Sequence, residues 1–592
     1  MSSFFSNLKA NVESLFSFRT DTPGIHPCPA NQYIWDYPTS INPLAVAKIV
    51  PPCDLPTLDW TLKVAETLLV SIGNDIQIEA SAAKKAELQG KLDTLKTAVA
   101  SRTVTVELME SIATDVTDHG VVAGANDHPN SLDDYNDLFK RIALPAIATD
   151  FQDDEVFAWL RVGGANPLMI TRCSAIPDKL PKDLAQRVQR PLGADSLEAA
   201  RKEGRLYIVD FAPLADLHVD PAGKYPQKYL YAPIALFVEQ PATGKLLPIG
   251  IQTQQTFEGN NFFVPDGTPS WLIAKTIVQM ADVNFHEAVS HLGRTHFLVE
   301  PFVIATARIL GREHSVSRLL WPHFEGTLLI NWAATRTLVA PGGGVEQILM
   351  PKLSDTLKLT AANLQNSPIN DQFLPKTFAQ RGVEDLKNYP YRDDSKLYWS
   401  AIGAWVKEYV ELFYSGDENQ GNTKVQADKL LQAWCREVIE SGHVVGFGEG
   451  GQIKTRMYLI DALTMIIFTA STQHAAVNFP QLNFFTYSPA SPGALYAKFP
   501  KDTPATEQDY FDMLPNRTQA IAQIKLAFLL GSVHYTELGQ YPSNYFSGVG
   551  VQMVQRFQAN IAAAGKTIDS RNVTRRPYTT LLPRAIPQSI NI

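Results

Sequence analysis

Apolar residues recur three and four positions apart through most of the chain beyond Trp271, which predicts a mostly α body. Gly- or Pro-rich stretches at 341–344, 416–421 and 487–493 interrupt this pattern and read as loops. Upstream, three short runs of β-branched and aromatic residues, 206–211, 229–237 and 246–252, are bounded by Pro and Gly and predict a small sheet. The start of the chain is different again. It opens on an amphipathic stretch (Phe4, Phe5, Leu8, Val12, Leu15, Phe16) and passes through a Pro-rich segment to Pro51, Pro52 and Pro56. From Ile76 to about Ala113 it turns rich in Ala, Lys, Glu and Leu, which predicts one or two solvated helices. No internal repeat is present. The expected organisation is a helical N-terminal extension over 1–130, followed by a large helical domain over 131–592 that carries the small sheet.

At 592 residues, 45% hydrophobic and 10% aromatic, the chain buries a large core and is globular. A net charge of −8, with basic runs no longer than pairs such as Lys84-Lys85 and Arg575-Arg576, excludes a nucleic-acid partner. The cysteines Cys28, Cys53, Cys173 and Cys435 lack the CxxC spacing of zinc sites and the density of a disulfide scaffold, so free thiols are expected. The N-terminus lacks the continuous apolar core of a signal peptide, so cytoplasmic residence is expected. Its amphipathic stretch, within residues 1–20, offers either peripheral membrane contact or packing against the larger domain. No window reaches the roughly 18 uninterrupted apolar residues of a spanning helix. The nearest, 458–471, contains Asp461 and reads as a buried core helix.

Candidate chemistry concentrates in one window. Five of the twelve histidines, His286, His291, His296, His314 and His323, fall between positions 286 and 323. A single histidine in a helix is more often a hydrogen-bonded core or surface residue than a ligand, but five at this spacing reverse that balance. In a regular helix, residues five apart are separated by about 140° around the axis, so His291 and His296 would not face one ion. The helix must widen into a π-type turn, which brings i and i+5 toward one face and tends to mark functional sites. Downstream, STQHAAVNF places His474 and Asn478 four apart, on one face of a normal helix. Three imidazoles with oxygen ligands and no thiolate suit iron(II)/iron(III) and leave an open position.

This pattern resembles the lipoxygenase family, which carries the five-histidine run, His-Ala-Ala-Val-Asn far downstream, and a chain ending in Ile. The similarity extends through WLRVGGANPLMI, YLYAPIALF, LLPIGIQ, QRGVEDL, YPYRDD and LQAW, covering roughly 143–592 in order. It implies a mainly α, lipoxygenase-type catalytic domain with a small β-sheet subdomain, holding one non-haem iron on His291, His296, His474, the weaker ligand Asn478 and the terminal carboxylate of Ile592. The tail PYTTLLPRAIPQSINI is apolar enough to thread into a core, where a buried carboxylate is tolerated beside a cation. His286, Glu287, His314, His323 and Gln481 are implied to surround the ligands. The x4 spacing of the first two ligands is that of the family's iron members rather than its manganese members.

The implied activity is dioxygenation of polyunsaturated fatty acids of the linoleate, linolenate or arachidonate type. A hydrogen atom leaves the methylene between two cis double bonds for the iron-bound hydroxide, and O2 adds to give a hydroperoxide. No side chain is expected to act as acid or base. Gapless continuation from His323 puts Ala334 at the small-residue position that influences stereochemistry in relatives, where Ala suggests S products. Leu338 and Val345 fall nearby, and Ile348 and Leu349 at the deep end. Two departures stand out: Glu287 occupies a position often Gln in plant relatives, and Ser491 replaces an arginine that some plant members carry. Residues 1–130 show no strand series like the β-barrel of plant and animal members, so the resemblance is to bacterial-type lipoxygenases. A hydroperoxide isomerase on the same scaffold is the rival, and a non-catalytic lipid- or iron-binding protein is the remoter one.

Overall fold

The computed structural model describes residues 26–104, 128–221, 225–336, 338–500 and 504–592. The amphipathic stretch around Phe4 to Phe16 and the end of the Ala/Lys/Glu/Leu segment, 105–113, lie outside them. Strands β1 (Trp35–Asp36) and β2 (Val46–Ala47) pair antiparallel, and helices α1 (Leu58–Ile78) and α2 (Ala82–Ala100) follow. Both helices start on hydroxyl caps: Thr57 accepts from Trp60 N, and Ser81 from Lys84 N. α2 buries only Leu88, Leu92, Leu95 and Ala98, as its solvated composition predicts.

α1 is bonded into the rest of the protein. Its Asn74 side-chain oxygen accepts from the backbone of Lys140 and Arg141 at 2.8 Å each. Its Asp75 pairs with Lys525 at 2.5 Å, both buried. A buried carboxylate is tolerated there because an ammonium neutralises it.

The predicted sheet is five-stranded and wholly antiparallel in the order β3 (Thr171–Arg172), β4 (Leu206–Asp210), β5 (Ile234–Glu239), β6 (Leu246–Gln252), β7 (Phe262–Phe263). The run 229–237 becomes strand only from Ile234. Pro233 has no N–H to give a ladder, and Tyr229 N is already donated to Leu495 O at 2.9 Å. Pro248, inside β6, coincides with a register shift at Leu236/Phe237 of β5.

Beyond Trp271 the chain is helical. A continuous rod over 269–310 combines α3 (Pro269–Phe285), a π-helical segment His286–Phe297, α4 (Leu298–Ala305) and a second π segment Thr306–Leu310. Nearly all of α3 is buried, so it serves as the central strut of the core. Around the rod lie α5 (Thr327–Arg336), α6 (Leu353–Gln365), α7 (Pro390–Phe413), α8 (Arg456–Phe468), α9 (His474–Asn478), α10 (Arg517–Ser532) and α11 (Val549–Asn572). α8 is the buried helix expected around Asp461, whose carboxyl burial pushes up. The 416–421 loop is shorter than predicted, because Asp417 caps a helix beginning at Glu418. Among the described residues no helix is long and apolar enough to cross a membrane.

The free-thiol expectation fails for two of the four cysteines. Cys28 and Cys53 form a disulfide with Cα atoms 5.5 Å apart, whereas Cys173 and Cys435 are free and buried. Sequence spacing missed the bond because the Pro-rich segment folds back on itself, and Tyr33 helps close the loop by accepting from Cys28 N and donating to Asp54 at 2.8 Å. Oxidising surroundings favour such a pairing. Cys53→Ser is expected to cost about 3 kcal/mol through the freed denatured chain, read as a lowered Tm. Alkylation of both thiols in unreduced protein would contradict the bond.

Candidate metal centre

The widened segment His286–Phe297 turns His291 and His296 inward together, as the x4 spacing requires. Neighbours repair the disturbed backbone: Thr360 Oγ1 donates to Ala288 O at 2.8 Å, and the Thr295 hydroxyl donates to His291 O. Gly293 lets α6 approach, since an added Cβ would lie 3.3 Å from both Ala288 O and the Thr360 methyl. The segment gives way to α4 just before Pro301, whose missing N–H already breaks a regular helical bond. A five-residue π segment, Thr469–Gln473, precedes α9 and presents His474 to the same point.

The nitrogens of His291, His296 and His474 lie within 4.8 Å of one another, all buried, and the Nε2 atoms of His291 and His296 are 3.2 Å apart. Each Nδ1 of the first pair has an acceptor. His291 Nδ1 faces Glu287 Oε2 at 3.1 Å, and His296 Nδ1 faces Asn331 Oδ1 at 2.7 Å. A proton on each Nδ1 leaves both Nε2 lone pairs free, the arrangement that metal-ligating histidines use. Asn331 is itself held through Nδ2, which donates to His296 O at 2.9 Å and Glu300 Oε2 at 2.8 Å. Neither ring nitrogen of buried His474 has a hydrogen-bond partner.

Electrostatics keeps His296 and His474 neutral. Burial, reinforced by the nearby His291, pulls His296 down to about 3, and burial with His296 and His291 holds His474 well below the ordinary histidine value. Burial alone would raise Glu287, but His286 and His291 outweigh it and hold this carboxylate well below the usual range. Unpartnered buried nitrogens, neutral imidazoles and an adjoining carboxylate fit a divalent or trivalent cation.

The other residues singled out in the sequence fall at different places. Asn478 is buried one helical turn beyond His474; its Nδ2 donates to Leu530 O at 2.8 Å, and its Oδ1 accepts from Gln481 Nε2 at 3.2 Å. Ile592 is buried and lines the same cavity as His291 and His296, and its main chain adjoins His474. His286 holds the two ligand helices together, Nε2 to Val477 O at 2.7 Å. His314 contacts Asp428 at 3.1 Å and accepts from Val316 N, so it caps a helix and makes no contact with the trio. His323 holds the C-terminal tail: Nδ1 donates to Gln588 O at 2.9 Å, and Nε2 accepts from Tyr541 at 3.2 Å.

The tail is fixed further by Thr327, which donates to Ile590 O, and by Trp60 of α1, which donates to Asn591 O at 2.7 Å. Gly326, at φ +79°, lets it pass, because an added Cβ would sit 3.2 Å from Asn591 Cβ.

Beside the trio lies an apolar cavity of about 180 Å³, and Ala334, Leu338, Val345, Ile348 and Leu349 all line it. α1 supplies Trp60, Val64 and Leu68 to its wall. Among the described lining residues there is no lysine or arginine. Ser491, at the position of a plant arginine, is buried instead against Gln279 and Gln523. Sequence inspection passed over Asn331 and Glu300. The one available signal was an Asn inside the otherwise apolar Leu-Leu-Ile-Asn-Trp-Ala-Ala run of α5.

The site is thus that of a helical protein able to hold a metal against an apolar substrate. A family model, Lipoxygenase, matches residues 114–581. The linoleate 9/13-lipoxygenase of Pseudomonas aeruginosa is 35% identical, over 95% of this chain and 89% of its own length. The polyunsaturated fatty acid lipoxygenase ALOX8 of Mus musculus is 34% identical over 78% of this chain and 69% of its own. A lipoxygenase crystal structure in complex with arachidonate, 27% identical, superposes with a TM-score of 0.80 over 95% of this chain and 80% of that one. The chain belongs to the lipoxygenase family and is a fatty-acid dioxygenase.

Two outcomes are expected here. Asn331→Leu removes the group that sets the His296 tautomer and should lower metal affinity by about 10- to 100-fold, measured by metal retention on dialysis against a chelator. Burial pulls His323 down to about 4. Between its unfolded pKa, near 6.5, and about 4 the unfolded chain takes up the proton, so stability is full above this window and lost as pH falls through it, by up to about 3 kcal/mol. Melting temperatures from pH 7 to pH 4.5 should fall more steeply for the parent than for His323→Gln.

Proposed function

We propose that His291, His296 and His474, with Asn478 and the terminal carboxylate of Ile592, hold one non-haem iron, and that a polyunsaturated fatty acid lies in the adjoining apolar cavity to be converted to its hydroperoxide. The observation that carries this reading is the meeting of three buried nitrogens, two of them on one widened helix, at the wall of that cavity. Iron, when bound, supplies a one-electron acceptor for removal of a hydrogen atom from the methylene between two double bonds. Everything else is the work of the chain.

Glu287 and Asn331 keep the Nδ1 protons of His291 and His296 away from the metal side. Gln481 fixes the Asn478 amide with its Nδ2 on Leu530 O, so Oδ1 is the atom left to serve as a weak ligand. Leu338, Val345, Ile348 and Leu349 give the hydrocarbon chain an apolar wall, keep out solutes that would divert a radical into side reactions, and limit how deep the chain reaches. Ala334 leaves room on one side of the substrate for O2. With no cation among the described lining residues, the methyl end enters first and the carboxylate stays at the mouth.

The test is conjugated-diene absorbance after linoleic acid and O2 are added to iron-loaded protein with nothing appended after Ile592. A rise is expected, and it should drop by at least about a thousandfold in rate, a barrier increase of about 4 kcal/mol, when His296 becomes Ala or one residue follows Ile592. No rise from iron-loaded protein would sink the reading and favour hydroperoxide rearrangement.

A further inference from the structure

The π segment that carries His291 and His296 contributes to the walls of two cavities. Besides the fatty-acid cavity there is a second one of about 630 Å³, and its wall includes Arg294, Arg381, Gln473 and the apolar Leu168, Met465 and Phe468. Arg294 lies between the two histidines on the π segment, and Gln473 directly precedes His474.

Among the described residues neither arginine has a carboxylate partner. Arg294 spends only Nε, on Asn363 Oδ1 at 3.1 Å. Arg381 donates through Nε and Nη1 to Thr377 O, Ile170 O and the Tyr389 hydroxyl. Its Nη2 is shielded from solvent and without a partner, and so is Gln473 Nε2. Both arginines belong to the same wall. The carboxylates in that wall are engaged elsewhere, since Asp210 is paired with Lys179 at 2.6 Å and Asp371 with Lys376 at 3.0 Å.

Arg294 and Arg381 in the wall of one half-apolar cavity, with Arg381 Nη2 and Gln473 Nε2 unpartnered just beneath it while the Gln473 oxygen accepts from the Tyr391 hydroxyl, are donors awaiting an acceptor. The geometry points to an oxyanion site in this cavity, distinct from the fatty-acid cavity, in which Arg294, Arg381 and Gln473 bind a carboxylate or phosphate head while Leu168, Met465 and Phe468 accept an apolar body. Its occupant touches both segments that carry the histidine trio, so binding there reaches the metal centre without entering the substrate's path. The inference does not depend on which metal the trio holds.

The probes are inorganic phosphate and octanoate, titrated calorimetrically into the full-length, iron-loaded protein. Saturable binding of one equivalent is expected for at least one probe; phosphate alone would identify a free anion as the ligand class, and octanoate a lipid carboxylate. Arg294→Gln should weaken binding by at least about tenfold, with Arg294→Lys recovering part of it. Gln380→Glu, at an exposed wall position, adds a repelling charge without touching the core and should also weaken it. No saturable binding of either probe, or binding that neither Arg294→Gln nor Gln380→Glu alters, would overturn the proposal.

Discussion

Two histidines five residues apart cannot serve one ion from a regular helix, and much of this structure follows from how the chain resolves that conflict. The rod over 269–310 widens at His286–Phe297, with Gly293 and Thr360 making the widened turn fit against α6. A second widened turn, Thr469–Gln473, delivers His474 to the same point. Helices that open in this way lose regular backbone bonds, so they persist only where packing and side-chain hydroxyls replace what is lost. That requirement accounts for the nearly complete burial of α3 and for the hydroxyl-to-carbonyl bonds around the site.

Once the trio is assembled, its orientation is set from outside it. Glu287 and Asn331 fix the tautomers of His291 and His296, and Asn331 is in turn held by Glu300, whose other oxygen accepts from Ala47 N at 2.6 Å in β2. A further buried network of Arg161, Asp282, Asn166 and Ser290 ties the rod to the surrounding core. Both ends of the described chain take part. α1 lines the fatty-acid cavity and binds the tail through Trp60, and the tail reaches the site because His323 and Thr327 hold its carbonyls. The Pro-rich segment and α1 are thereby tied to the cavity beside the trio through Pro56 and Trp60.

The sequence made the histidine trio legible because ligand chemistry demands particular residue types at particular spacings, and a five-residue step has no ordinary structural use. The helical body and the strands at 206–210 and 246–252 were legible for the same reason: periodicity is a local property. Contacts across long separations left no such trace. The Cys28–Cys53 bond depends on how a proline-rich segment folds back, and the pairing of Asn331 with His296 joins residues 35 apart. His314 shows the converse. It belongs to the five-histidine pattern, yet its ring caps a helix and pairs with Asp428. The strand expected at 229 starts at Ile234 because Pro233 cannot donate to a ladder, a local signal that the apolar run around it masked.

The most direct test of the account is an anomalous diffraction map collected on either side of the iron absorption edge. It should show one peak per chain in contact with His291, His296 and His474, with Asn478 and the chain end at Ile592 completing the shell. A peak elsewhere, a metal that ignores His474, or a signal lacking the iron edge would contradict the assignment of this trio as the seat of the chemistry.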